Sequence, residues 1–176
     1  MFTAADAAQL KTRFALDSIR VVDTGIAYVE KGGQPSVLIR DRQFPLKKDY
    51  DVISIDLLDK HLGDCPGATS GKALITVQKG DLLMLMDEEG RNYFGDQWFT
   101  DTEGNLEYVV VKDGTRIGFF SKNICYKPIP TRYGRFVDPV WIQTGPGQRF
   151  LVYRVMHGKE EVLLGQNGVE YFRNVD

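Results

Sequence analysis

The sequence predicts an all-β protein, mostly antiparallel, with one N-terminal helix. Three observations carry that expectation. Short runs rich in Val, Ile, Leu and aromatic residues recur from Ser18 onward. Their separators are turn residues such as Glu89-Gly90, Asp113-Gly114, His157-Gly158 and Asn167-Gly168, where glycine supplies the positive φ that tight hairpins demand. Only the stretch before Asp17 repeats apolar residues at helical spacing.

That stretch opens with Thr3 and Asp6, which have the spacing of a capping box. Ala7, Leu10 and Phe14 follow on one face, so a helix is expected through about Leu16. Strand runs are expected at 19–22, 26–29 and 37–39. Residues 51–57 alternate apolar and polar, as a half-buried strand does. Further runs occupy 82–86, 106–111, 116–120, 140–143, 150–156, 162–164 and 169–172. The stretch from Glu89 to Leu106 is long for a turn and reads as an expanded hairpin or loop. Pro128-Ile129-Pro130 interrupts the pattern and reads as a seam, because proline cannot donate within a central strand.

Composition narrows the class of function. The 176 residues carry 22 Lys+Arg against 24 Asp+Glu, a formal net charge of -2. A nucleic-acid binder driven by counterion release carries a basic excess, so nucleic acid is disfavoured as a partner. No window approaches the apolar length needed to span a bilayer, so no membrane partner is expected. Met1-Phe2-Thr3-Ala4-Ala5-Asp6 lacks a basic and apolar secretory leader, and the two cysteines, Cys65 and Cys125, are too few for a disulfide framework. Reduced thiols and a cytoplasmic location are the resulting expectation.

Three regions are expected: a helix and strands over 1–62, a middle unit over 63–129 and a C-terminal β-meander over 130–176, packed as one unit by short linkers. The middle unit carries a resemblance. Cys65-Pro66-Gly67-Ala68-Thr69-Ser70-Gly71-Lys72-Ala73-Leu74 leads into Val77-Gln78-Lys79-Gly80-Asp81-Leu82-Leu83-Met84-Leu85-Met86, a glycine-acid turn before an apolar strand. Trp98-Phe99 and the closing Lys112-Asp113-Gly114-Thr115-Arg116-Ile117-Gly118-Phe119-Phe120-Ser121-Lys122-Asn123-Ile124 complete the order. Residues 64–127 thus resemble the SH3-like barrel superfamily, and bacterial SH3 domains in layout. The resemblance implies a small barrel and an interaction role. Gly118 would permit close approach at a bent strand. The acidic loop after Leu74 is missing, Ser121 replaces the groove proline and Ile124 its tyrosine, so proline-peptide recognition is not expected.

The chemistry-bearing residues favour binding over catalysis. Tyr93, Trp98, Phe99, Asn123 and Tyr126 are the candidate partner-binding residues, since aromatic side chains give large contact area at low rotamer cost. Phe94 and Phe119 or Phe120 are assigned to the core. Arg132, Tyr133 and Arg135 form a weak candidate nucleic-acid site, in which an aromatic ring between arginines stacks on bases. His61 and Cys65 are four apart, but Pro66 disfavours a helix there and no second pair completes a metal site. His157 falls in a turn, where exposed histidines are common, and a Cys65–His157 nucleophile pair has no motif behind it. Asp51, Asp56, Asp59 and Asp64 lack calcium-loop spacing and read as a solvated face. Gly145-Pro146-Gly147 is a turn, not a phosphate loop. No catalytic residue, metal or cofactor is assigned.

These observations point to a non-enzymatic macromolecule-binding protein with a protein partner, homo-oligomerisation remaining open. The alternatives are a viral or phage accessory or structural assembly protein, a cysteine-dependent enzyme and a cell-wall-binding module, the last disfavoured by the absent leader.

Overall fold

The computed structural model describes residues 1–58, 72–123 and 125–173. After a 3₁₀ turn (Ala4–Asp6) and helix α1 (Ala7–Phe14), the described chain forms fifteen strands in four antiparallel sheets. The first sheet holds β1 (Ser18–Asp23), β2 (Ile26–Lys31), β3 (Gln34–Ile39) and β4 (Arg42–Pro45). The second holds β5 (Asp51–Leu57), β6 (Ala73–Lys79) and β7 (Leu82–Met86). The third is β8 (Asp101–Gly104), β9 (Tyr108–Asp113), β10 (Arg116–Ser121) and β11 (Ile129–Tyr133). The last is β12 (Arg135–Gly145), β13 (Gln148–His157), β14 (Glu160–Gly165) and β15 (Glu170–Arg173). In every sheet spatial order follows chain order, so each is a meander of hairpins.

The sheets stack face to face in sequence. Because side chains alternate across a strand, one strand feeds two different cores. Val109 and Val111 of β9 pack with Leu74 and Leu85 of the second sheet, whereas Tyr108 and Val110 pack with Leu151, Tyr153 and Val155 of the fourth. The same division occurs on β6, where Ile75 and Val77 turn to the first sheet and Leu74 to the third. On β2, Ile26 faces the second sheet while Ala27 and Val29 lie under Phe2, Leu10 and Leu16 of the helical segment. Thus α1 closes one end, and the first three sheets are covered on both faces. Strands buried on both sides require continuous apolar runs, which explains Val109-Val110-Val111 and Leu83-Met84-Leu85-Met86.

The barrel expected over 63–129 does not form among the described residues. Strand β6 pairs with β5 and β7, while β9 pairs with β8 and β10 and β10 with β11, and neither sheet closes on itself. The physical reason is the double-sided burial just described: a small barrel has one interior, whereas these strands supply two. The expected boundary at 62–63 lies outside the described residues, and the boundary at 129–130 falls inside β11. Pro130 is accommodated because β11 is the edge of its sheet. There Gly118 faces the β11 backbone so closely that an added Cβ would lie 2.4 Å from the Ile129 carbonyl oxygen. The register shifts between Ile117 and Phe119 at that point.

Candidate functional site

The β10–β11 connection, the β7–β8 loop and the residue before β6 meet at one end of the second and third sheets. They enclose a groove of about 340 Å³ lined by Lys72, Tyr93, Phe120, Tyr126, Lys127 and Pro128, with Cys125 at its side. Its volume lies at the lower end of the range for ligand pockets, about 300–1,000 Å³.

The β7–β8 loop is held by Asp87, whose carboxylate accepts the Glu89 and Arg91 backbone N–H groups, each at 2.9 Å, and pairs with the Arg91 guanidinium at 2.8 Å. This fixes Tyr93, which donates its hydroxyl to the Ala73 carbonyl at 2.9 Å and packs its ring 4.6 Å from that of Phe120. Burial raises the Tyr93 phenol well above the ordinary tyrosine range, and Glu88 and Asp87 add to the effect. The ring is therefore a neutral, anchored wall.

On the opposite side, Ser121 donates its hydroxyl to Gln166 at 3.1 Å and accepts the Asn123 N–H at 3.2 Å. Asn123 in turn accepts the Cys125 N–H at its side-chain oxygen, an Asx turn that carries the chain to Tyr126. The Tyr126 ring stands 6.3 Å from that of Phe150, edge to face. Phe150 continues to Tyr171 at 5.7 Å, over Gly165, where any Cβ would strike both rings. The groove thus offers two tyrosine walls and a Phe120 floor, with Lys72 and Lys127 in its lining.

Of the residues singled out from sequence, Tyr93 and Tyr126 are brought together here, and Asn123 shapes the loop beneath them. Trp98 lies elsewhere, half-buried against the core between the first two sheets with its ring 5.8 Å from that of Tyr50. Phe99 is fully buried between the second and third sheets, so it offers no surface for a partner. Its backbone exchanges two 2.8 Å hydrogen bonds with Leu83, which draws the side chain inward. Phe119 and Phe120 both enter the core, on opposite faces of β10. Lys72, Lys127 and Pro128 carried no sequence signal as a group, being brought together by sheet packing alone.

Tyr133 is also fully buried and cannot stack on a base. Its hydroxyl accepts from Arg132 Nε at 3.0 Å and donates to Glu170 at 3.2 Å, while Arg135 stays exposed. Glu170 also meets His157 Nδ1 at 3.1 Å, so the turn histidine is tied into this network. Asp59, His61, Asp64 and Cys65 lie outside the described residues. Contrary to the expected free thiol, Cys125 is disulfide-bonded; the sequence has one other cysteine, Cys65. A disulfide sulfur is not a thiolate nucleophile. Among the described residues no three His, Cys, Asp or Glu side chains gather as a metal site.

Fold and groove together define a layered all-β protein with an aromatic, basic surface groove. Comparison with protein-family models, curated proteins and solved structures finds no match.

Proposed function

We propose that this chain is a non-enzymatic binding protein whose Tyr93–Tyr126 groove takes an extended segment of a protein partner. The observation that carries the reading is the pairing of two tyrosine rings with two lysines around one groove. Aromatic walls suit an apolar or aromatic side chain, and the ammonium groups suit acidic residues on either side of it. No helix among the described residues is long and apolar enough to cross a membrane. Disulfides persist in oxidising compartments, so this reading does not depend on a cytoplasmic location.

Selection from a random peptide library tests it. The expected outcome is enrichment of an apolar anchor flanked by Asp or Glu, with binding weakened at least about tenfold by Tyr126→Ala or Lys127→Glu. Peptides without acidic residues, or binding equal in both variants, would sink the reading.

A second reading, self-assembly, rests on the outer face of the fourth sheet. Val140 stands opposite Val152, Ile142 opposite Phe150 and Leu163 opposite Arg154; Val140, Ile142, Phe150 and Leu163 are half-buried and Val152 is fully buried. A second copy docked through this face would cover it. Light scattering that shows a dimer, reduced to a monomer by Ile142→Lys with Leu163→Lys, is the result this reading requires. A wild-type monomer excludes it.

A further inference from the structure

On the other side of the second and third sheets, their edge strands β5 and β8 flank a cavity of about 480 Å³. Lys122, at the end of β10, reaches into it from a position 66 residues away in sequence and pairs with Asp56 of β5 at 2.8 Å. The Lys122 side chain is 8% exposed and that of Asp56 is 48% exposed. An ammonium group has three N–H donors, and Asp56 is its one hydrogen-bond partner among the described residues. Buried ionic groups are retained when further hydrogen bonds complete their shells. Ser54, Thr76 and Thr102 line the same cavity, with Leu74, Val109 and Leu106 as its apolar lining.

We propose that this cavity binds a neutral polyhydroxyl ligand, a sugar residue or polyol, between Lys122 and Asp56. The charge arrangement selects the class. An anion drawn to Lys122 meets the Asp56 carboxylate, and a cation drawn to Asp56 meets the ammonium group, so either gains little. A hydroxyl both accepts and donates. Adjacent hydroxyls of one ligand therefore accept from Lys122 and donate to Asp56 at once, while its remaining hydroxyls meet Ser54, Thr76 and Thr102. Leu106, 77% exposed, gives the C–H face of such a ligand an apolar surface. An ion pair with a purely structural role needs no opening, yet Asp56 lines this cavity with its side chain about half exposed.

The test is a titration of the ¹⁵N-labelled full chain with four neutral probes: methyl α-glucoside, methyl β-galactoside, N-acetylglucosamine and myo-inositol. Inorganic phosphate and putrescine serve as charged controls. At least one neutral probe is expected to shift the amides of Ser54, Thr76, Thr102 and Lys122 with a dissociation constant in the range of about 1–50 mM, a few kcal/mol of binding. Ser54→Leu, which fills the cavity from an exposed edge-strand position, should abolish those shifts. So should the double substitution Asp56→Asn with Lys122→Met, which removes both charges and leaves neither unpaired. Cooperative thermal unfolding of both variants establishes that they fold. The proposal is overturned if no neutral probe moves these amides, if phosphate or putrescine moves them equally, or if the shifts persist in the folded variants.

Discussion

At Gly118 the β11 backbone sits where any other residue's Cβ would need to be, 2.4 Å from a carbonyl oxygen. Gly118→Ala must push β11 away, so it is expected to cost about 1–3 kcal/mol by denaturant unfolding. The opposite sign is expected at Ala15, which ends α1 in the left-handed region at φ 52°. Ala15→Gly relieves that strain and should stabilise the chain by about 1 kcal/mol in the same assay. Three surface carboxylates contribute to the acid limb of stability. The Thr3 backbone N–H and hydroxyl lower Asp6, and hydrogen bonds from Lys79 and Lys112 lower Asp49 and Asp101. Each is lower folded than unfolded, so its contribution is present above the ordinary carboxylate value of about 4 and fades as pH falls through the folded value. Melting temperature followed from about pH 5 to pH 2 should therefore drop less steeply in Asp49→Asn with Asp101→Asn than in the wild type. Gly118 and the Thr3–Asp6 pair were legible in sequence, since each acts through local backbone chemistry. Asp56 was not: it reads as a solvated carboxylate, and its buried partner lies 66 residues away.

Among the elements, the strands found by sequence pattern are those with apolar side chains to bury, such as β3, β7, β9 and β13. The omissions were β4, β6, β8 and β11; β6 (Ala73–Lys79) is apolar and buried, but its residues read as the lead into the glycine-acid turn at Gly80. Arg42-Gln43-Phe44-Pro45 and Asp101-Thr102-Glu103-Gly104 are short, polar edge strands whose ladder hydrogen bonds leave little periodic trace. In β11, Pro130 reads as a breaker until the strand is known to lie at an edge. The groove was half legible for a similar reason. Tyr93 and Tyr126 advertise themselves by type, but Phe99 has the same type and points inward because its backbone pairs with Leu83. At this scale the β10–β11 connection makes a chemical prediction. Cys125 should resist a maleimide reagent in the folded protein and react only after a reductant is added, with mass spectrometry counting the labels. Labelling without reductant would restore a free thiol and the nucleophile reading with it.

For the whole molecule, the consequential fact is that chain order and layer order coincide. Helix α1 covers Ala27, Val29 and Leu38 of the first sheet. Removing residues 1–16 bares that face, and light scattering should then report concentration-dependent association absent from the full chain. The all-β, mostly antiparallel class was accessible from the turn spacing, but the layered stacking was not, because a run such as Val109-Val110-Val111 fits a buried strand in any architecture, a barrel included. Stacking also shapes how the chain comes into being on a ribosome. Each meander is built from neighbours in sequence, which close with little loop entropy. In such an order each would emerge beside the one already made, whose binding face is still open. The nascent chain can thus grow as courses are laid on a wall, with α1 and the first sheet as footing, and its most exposed intermediate at any moment is the newest layer.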